Sequence, residues 1–504
     1  MNTFMNALKN ETNYTYTENG GLTHKTTNSA LLDMFGMGGS MRNRPDEDVI
    51  LMFKNAYEEN PEYALKCLFY HRDARGGTGE RRFFRVIINW LANYDTDAVI
   101  RNIKFIPEMG RWDDLYSLVS TPAENAAFNL MREQLVLDMK CEGAVSLCAK
   151  WCKSINTSSP DSRKLGEKTA SALGLTSREY RKMLSYLRGK IRIVETLMSQ
   201  NRWDEIEFDK IPSRAGLIYK NVFAHNEITA ARYAEFMANK KTKVNAAVLN
   251  PVDIAGQIFT HRNPSATDRQ AWDKYWSCLP DYYNGKEEPG IAIVDVSGSM
   301  YGTPINAAIS MGAYIAERGK GPFQNHFITF SDEPELVEFK GIDLYDKFRR
   351  ASNANWGGST NIEAVFNLLL NTAIKYNMSD KDMPKTLYIF SDMEFNSCVI
   401  SGPVEHRDNR MWRYNPYAHA CTTENAINTV IETQAAKWAF HGYTIPRVIF
   451  WNLDARQNNI PAIGNGFSYV SGFSMNMIEC ILSGKDGEQL MFEKLNSDRY
   501  KDIH

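Results

Sequence analysis

With 504 residues the chain is too long for one hydrophobic core and predicts two to three domains. Its 43% hydrophobic and 23% charged residues are ordinary for a globular protein, and 58 Lys/Arg against 60 Asp/Glu leave a net charge of −2 that singles out no partner. No apolar run approaches a bilayer span, which argues against a membrane location. The first residues lack the basic-then-apolar pattern of a secretion signal, and eight scattered cysteines predict reduced thiols in the cytoplasm.

Residues 1–44 are rich in Asn, Thr and Gly and predict a mostly irregular arm, with Gly36 to Gly39 unable to hold a regular helix. From Pro45 the texture becomes helical. Pro45-Asp-Glu-Asp48 places proline and acids at a helix start, ahead of Val49, Phe53 and Tyr57. Further helical segments are predicted over Tyr63–Tyr70, Arg81–Asn93, Thr96–Phe105, Asp113–Val119, Ala123–Cys141 and Ala144–Trp151. Cys148 and Cys152, one helical turn apart in the last of these, read as buried packing and not as zinc ligands. The Gly76-Gly-Thr-Gly79 stretch lacks a preceding strand and a Lys-Ser/Thr ending, so it predicts a joint between helices and not a phosphate loop. Residues 45–288 thus predict an all-α solenoid of HEAT-like helical pairs, although no fixed period is visible.

Charge is concentrated within this helical part. Between Cys148 and Arg192 stand eleven Lys/Arg and three acids, a local +8 that leaves the rest of the chain at −10. Thr176-Ser-Arg-Glu179 has the form of a capping box, and the helix predicted beyond it, as far as Met198, carries two stripes. Tyr180, Met183, Leu184, Leu187, Ile191, Val194 and Met198 form an apolar side. Arg178, Arg181, Lys182, Arg188 and Arg192 form the opposite one. A second cluster holds Arg72, Arg75, Arg81, Arg82 and Arg85. Such a face is either solvated or meets a polyanion, and nucleic-acid phosphate is the commonest polyanion. Trp112, Trp151 and Trp203 could pack in the core or stack on bases.

At residue 289 the pattern switches to strand–helix alternation. Strands are predicted at Ile291–Val294, His326–Phe330, Leu387–Phe390 and Val448–Trp451, and helices at Thr303–Arg318, Asn361–Tyr376 and Glu424–Ala439. Residues 289–504 therefore predict an α/β domain with a doubly wound parallel sheet, carrying a loop insertion at about 401–421. Asp295, Ser297 and Ser299 follow the first strand directly. Thr360 lies in a later Gly-Gly-Ser-Thr-Asn loop, and Asp392 ends another strand. These hard oxygen donors at the carboxyl ends of strands suit one Mg²⁺ or Mn²⁺. The alternative is a metal-free loop set whose Ser and Thr only cap helices.

The Asp-x-Ser-x-Ser element with its downstream Thr and Asp resembles the metal-ion-dependent adhesion site of the von Willebrand factor A family, in which the metal docks an acidic group from a protein partner. Met393 stands where many members of that family have Gly. A helical part followed by such a domain is the layout of the Ro autoantigen family, whose helical part is the TROVE module. The stretches His71-Arg-Asp-Ala-Arg-Gly-Gly-Thr-Gly-Glu-Arg81, Gly110-Arg-Trp-Asp-Asp114, Ala149-Lys-Trp151, Phe450-Trp-Asn452 and Val470-Ser-Gly-Phe473 look like a divergent Ro-like branch found in viral and cellular genomes. That resemblance implies a monomeric helical ring that takes RNA ends into its hole and structured RNA on a basic outer surface. The basic helix would then line the hole or its rim. The expectation is a non-catalytic RNA-binding protein. A protein–protein adaptor is the main alternative and a metal-dependent nuclease a lesser one, since no nucleophile–base pair accompanies the metal residues.

Overall fold

The computed structural model describes residues 12–191, 193–353, 359–396 and 429–504, together with Met5 and Leu8. Arg192, Gly357, Gly358, the predicted 401–421 insertion and the start of the Glu424–Ala439 helix lie outside the described residues. The N-terminal part is helical and the C-terminal part is α/β. Among the described residues no helix is long and apolar enough to cross a membrane.

The first segment departs from the expectation of an irregular arm. Strands β1 (Tyr14–Tyr16) and β2 (Leu22–His24) form an antiparallel hairpin, and a buried helix follows at Ala30–Met37 with Ser29 as its N-cap. Gly36 lies inside that helix. A Cβ there would come within 2.6 Å of the Tyr469 Cβ, so the glycine serves close packing against the α/β part, not a break in the helix.

The helical part then runs through Asp46–Glu59, Pro61–Arg72, Arg81–Tyr94 and Glu124–Lys140, with shorter helices between and after them. The Thr96–Phe105 prediction resolves into Thr96–Asn102 and Phe105–Met109, and only Cys148–Trp151 of the Ala144–Trp151 prediction is helical. Cys148 and Cys152 are both buried, as packing required. The basic helix covers Ser177–Ile191 and is followed by a separate short helix, Val194–Ser199, instead of running on to Met198. Its capping box is in place, with the Thr176 N–H donating to Glu179 Oε2 at 2.9 Å and the Glu179 N–H to Thr176 Oγ1 at 3.3 Å.

The α/β part holds a six-stranded sheet of β3 (Gly290–Asp295), β4 (His326–Phe330), β5 (Leu336–Glu338), β6 (Thr386–Ser391), β7 (Arg447–Asn452) and β8 (Phe467–Ser471). Their order is β5-β4-β3-β6-β7-β8, and all neighbours are parallel except β4 and β5. β6 and β8 are buried along their whole length, and β3 and β7 at all but their first residue, as expected of parallel strands covered on both faces. β5 and β8 were not among the predicted strands. Both ends of the helical part dock on this domain. The Ala30–Met37 helix packs on β8 and the Gly487–Leu495 helix, while the Pro251–Thr260 and Ala266–Ser277 helices pack on Thr303–Arg318 and Leu344–Ala351.

Candidate metal centre and nucleic-acid interface

The sheet order reverses direction at β3, whose neighbours β4 and β6 lie on opposite sides. A crevice therefore opens beyond the carboxyl ends of β3 and β6. Asp295 ends β3, and Ser391 ends β6 immediately before Asp392. Both aspartates are buried. One Asp295 oxygen accepts from the Ser297 N–H at 2.9 Å and the other from the Ser391 hydroxyl. The Ser297 and Ser299 hydroxyls lie 2.9 Å apart. Asp392 Oδ1 accepts from the Glu394 N–H at 3.2 Å, whereas its Oδ2 is buried with no hydrogen-bond donor. Burial and then the charge of Asp392 push the Asp295 carboxyl up. Burial likewise raises Asp392, against the pull of the Ser299 hydroxyl, the Glu394 N–H and Arg456.

Asp295, Ser297, Ser299 and Asp392 are thus brought together. Thr360 joins the same loops, but its hydroxyl donates to Asn396 Oδ1 at 2.6 Å and accepts from Asn19 Nδ2 at 2.9 Å. Met393 adopts φ +66°, the left-handed conformation that glycine takes most easily, and its N–H donates to Ser391 Oγ at 3.0 Å. Met393 therefore holds this turn at a backbone cost.

The residue fit for a hard cation is good in two respects. The buried Asp392 Oδ2 accepts no hydrogen bond, its facing cation Arg456 standing beyond that reach at 3.7 Å, and the two buried carboxylates oppose each other's charge. Among the described residues no group of three or more His, Cys, Asp and Glu forms a cation cage, so hydroxyls and water would have to complete any shell.

Sequence reasoning missed several residues here. The Arg456 Nε stands 3.7 Å from Asp392 Oδ2, while its Nη2 donates to the Ser299 carbonyl at 2.6 Å. Glu394, fully buried, accepts from the Glu18 N–H, Gln457 and Asn459. Arg456 follows β7 at the same end of the sheet, so the strand-end rule could have found it. Glu18 and Asn19 come from the far N-terminus with no local signal.

The predicted RNA-contact residues separate into two sites. Arg72, Arg75, Arg81 and Arg82 line a cavity of about 1040 Å³, together with Lys150 of the basic segment and with Arg42, Arg111 and Arg214, which the sequence reading did not select. Eight Lys/Arg and three Glu border it among the described residues. Its walls come from residues 72–82, 107–112, 147–151, 193–195, 212–219 and 247–250, and from Tyr282, Phe473, Ser474 and Asn476 of the chain's second half. Trp112 and Trp151 are both on the wall. Trp203 is elsewhere and donates its indole N–H to Asn201 at 2.7 Å. The Arg111 guanidinium lies 3.9 Å from the Trp151 ring centre and that of Arg42 lies 3.5 Å from Phe473.

These cations are unequal. Arg72 is buried and paired with Asp114 at 2.7 Å, Arg82 is paired with Asp46, and Arg85, which is not among the cavity residues, is held by Asp113 and Asp114. Arg75 and Arg81 are exposed and have no carboxylate partner among the described residues. Partial burial and the guanidinium groups of Arg111, Arg85 and Arg72 lower the pKa of Arg81, so an anion there would be favoured. The Gly76–Gly79 joint offers no anion cradle, because the Gly77 and Thr78 N–H groups already donate to Asp73 and Tyr70.

The basic helix does not face this cavity with its cations. Arg178, Arg181, Lys182 and Arg188 line a separate cleft of about 650 Å³. Arg188 is turned inward and donates to the carbonyls of Ala149 and Cys152 and to Ser154 Oγ, so it caps the end of the Cys148–Trp151 helix instead of joining a free cationic stripe. Arg178, Arg181 and Lys182 are exposed without acidic partners among the described residues.

Comparison with known proteins supplies sequence relatives for both halves. A family model described as a domain of unknown function (DUF2828) matches residues 17–143 and 156–278, and a second domain of unknown function (DUF7788) matches residues 289–502. Neither is a Ro or von Willebrand A model. The uncharacterised protein L728 of Acanthamoeba polyphaga mimivirus is 31% identical over 516 residues, covering 94% of this chain and 85% of the relative. The chain therefore belongs to the family of that mimivirus protein, with a DUF2828 region followed by a DUF7788 domain.

Proposed function

We propose that this is a non-catalytic, Ro-like RNA-binding protein. Its helical part forms a solenoid closed into a ring by a von Willebrand A-like domain, and that domain carries one Mg²⁺ or Mn²⁺. The observation that carries the RNA reading is the cavity of about 1040 Å³, with its excess of cations, its exposed Arg75 and Arg81, and its half-buried Trp112 and Trp151. Cations that contact phosphates and aromatic faces that stack bases are what a sequence-tolerant single-strand site requires. The ring reading is supported by the docking of both ends of the helical part on one domain.

For the metal, Asp295, Ser297, Ser299 and Asp392 are the direct candidates, with Thr360 reaching the ion only if its hydroxyl leaves Asn396. The ion would supply a docking point for a partner's carboxylate. The buried Asp392 Oδ2, which accepts no hydrogen bond, supports this reading.

The RNA reading is tested by retention of a short single-stranded RNA at low salt. Reversing Arg75 and Arg81 to Glu should weaken binding roughly tenfold or more, with the fold intact by circular dichroism. Reversing Arg178, Arg181 and Lys182 measures the cleft separately. Unchanged retention in both variants would place the RNA path elsewhere. No retention by the parent would favour the adaptor, in which these cations meet acidic protein surfaces.

A further inference from the structure

We propose that the acidic group docked at the metal loops is supplied by the chain itself, by Glu18 at the tip of the β1–β2 hairpin. The inference rests on the metal reading above. It concerns what covers that site.

The hairpin turn is fastened to the loops of the site residue by residue. Thr17 Oγ1 donates to the Phe395 carbonyl at 2.6 Å and the Glu18 N–H to Glu394 Oε2 at 2.7 Å. Asn19 Nδ2 donates to Thr360 Oγ1 at 2.9 Å and to the Glu394 carbonyl at 2.6 Å. Gly20 pairs with Asn396 in an isolated bridge. A Cβ on Gly21 would lie 2.5 Å from the Phe395 carbonyl oxygen, so this approach requires glycine.

The Glu18 carboxylate, about half exposed, accepts from Arg456 Nη1 at 3.1 Å. The same guanidinium touches the Ser299 carbonyl and stands 3.7 Å from Asp392 Oδ2. One arginine therefore joins the arm's carboxylate to two members of the candidate shell. A divalent ion between Asp295 and Asp392 would repel this guanidinium and attract the carboxylate bound to it. Metal binding and arm docking are then favourably coupled, and each must strengthen the other by the same factor. A partner presenting its own acid reaches the site only by displacing the arm.

Calorimetry with Mn²⁺ and hydrogen exchange of residues 14–24 test this on the full chain. In the parent, Mn²⁺ should bind and slow exchange in the hairpin. Glu18→Gln should bind Mn²⁺ on the order of tenfold more weakly, with hairpin exchange no longer responding to the ion. Asp295→Ala should bind no Mn²⁺ and keep the metal-free exchange of the parent. If Glu18→Gln matches the parent in affinity and the parent's hairpin exchange ignores the ion, the arm proposal is overturned and the metal site stands. If the parent binds no Mn²⁺, both fall.

Discussion

Arg72 and Arg81 border the same cavity in different surroundings. Arg72 is 2% exposed and its guanidinium is fixed on Asp114, itself fully buried, while Arg81 is open and crowded by other cations. Removing one partner of a buried ion pair strands the other, which typically costs 3–5 kcal/mol. Asp114 keeps Arg85 and the Arg111 N–H, so Arg72→Met should cost about 3 kcal/mol, the low end of that range. Urea unfolding checks this, and a loss below about 1 kcal/mol would mean that Arg85 alone satisfies Asp114.

His71 gives a pH counterpart. Its Nε2–H donates to the Met34 carbonyl at 3.0 Å, and burial lowers its pKa from 6.5 to about 4. Between those values the unfolded chain binds the proton and the folded chain does not. The stabilisation is therefore complete above about pH 6.5 and is lost as pH falls toward 4, by about 3 kcal/mol in all. In His71→Gln the difference in stability between pH 7 and pH 5 should shrink measurably. An identical pH slope in parent and variant would show that other groups carry it.

At the scale of elements, legibility followed how local each signal was. The strands β3, β4, β6 and β7 were readable because buried parallel strands are apolar runs bounded by turns, and the Asp-x-Ser-x-Ser loop lies directly after one of them. β8 reads Phe-Ser-Tyr-Val-Ser and is buried largely by the Ala30–Met37 helix, a contact between opposite ends of the chain that no local window contains. That helix was itself hidden by the glycines in it and just beyond it. Gly36 and Gly39 look like breakers, yet a Cβ on Gly39 would lie 2.8 Å from the Ser471 backbone, so both mark close approach to β8. The basic helix was placed correctly at its start and overextended at its end. Its stripe pattern held for Tyr180, Leu184 and Leu187, whereas Arg188, on the polar stripe, bends back to cap neighbouring carbonyls. Periodicity assigns a side chain to a face of a helix and cannot tell which carbonyls lie within reach of a long arginine.

For the molecule as a whole, net charge conceals a cavity whose cations come from segments far apart in sequence. Several of them neutralise the protein's own acids: Arg42 meets Glu80, Arg72 Asp114, Arg82 Asp46 and Arg214 Asp253. Arg75, Arg81 and Lys150 have no such pairing among the described residues and form the surplus that phosphates could meet. Binding of a single strand that neutralises about three or four phosphates should give a slope of about −2 to −3 in log K against log salt. Reversing Arg75 and Arg81 should bring that slope toward zero by about 1 to 2, because those contacts no longer release counterions. Fluorescence anisotropy of a labelled single strand across a salt series measures both slopes. A parent slope near zero would mean that the cavity holds its ligand by its apolar wall, around Ile218 and Val248, and not by its arginines.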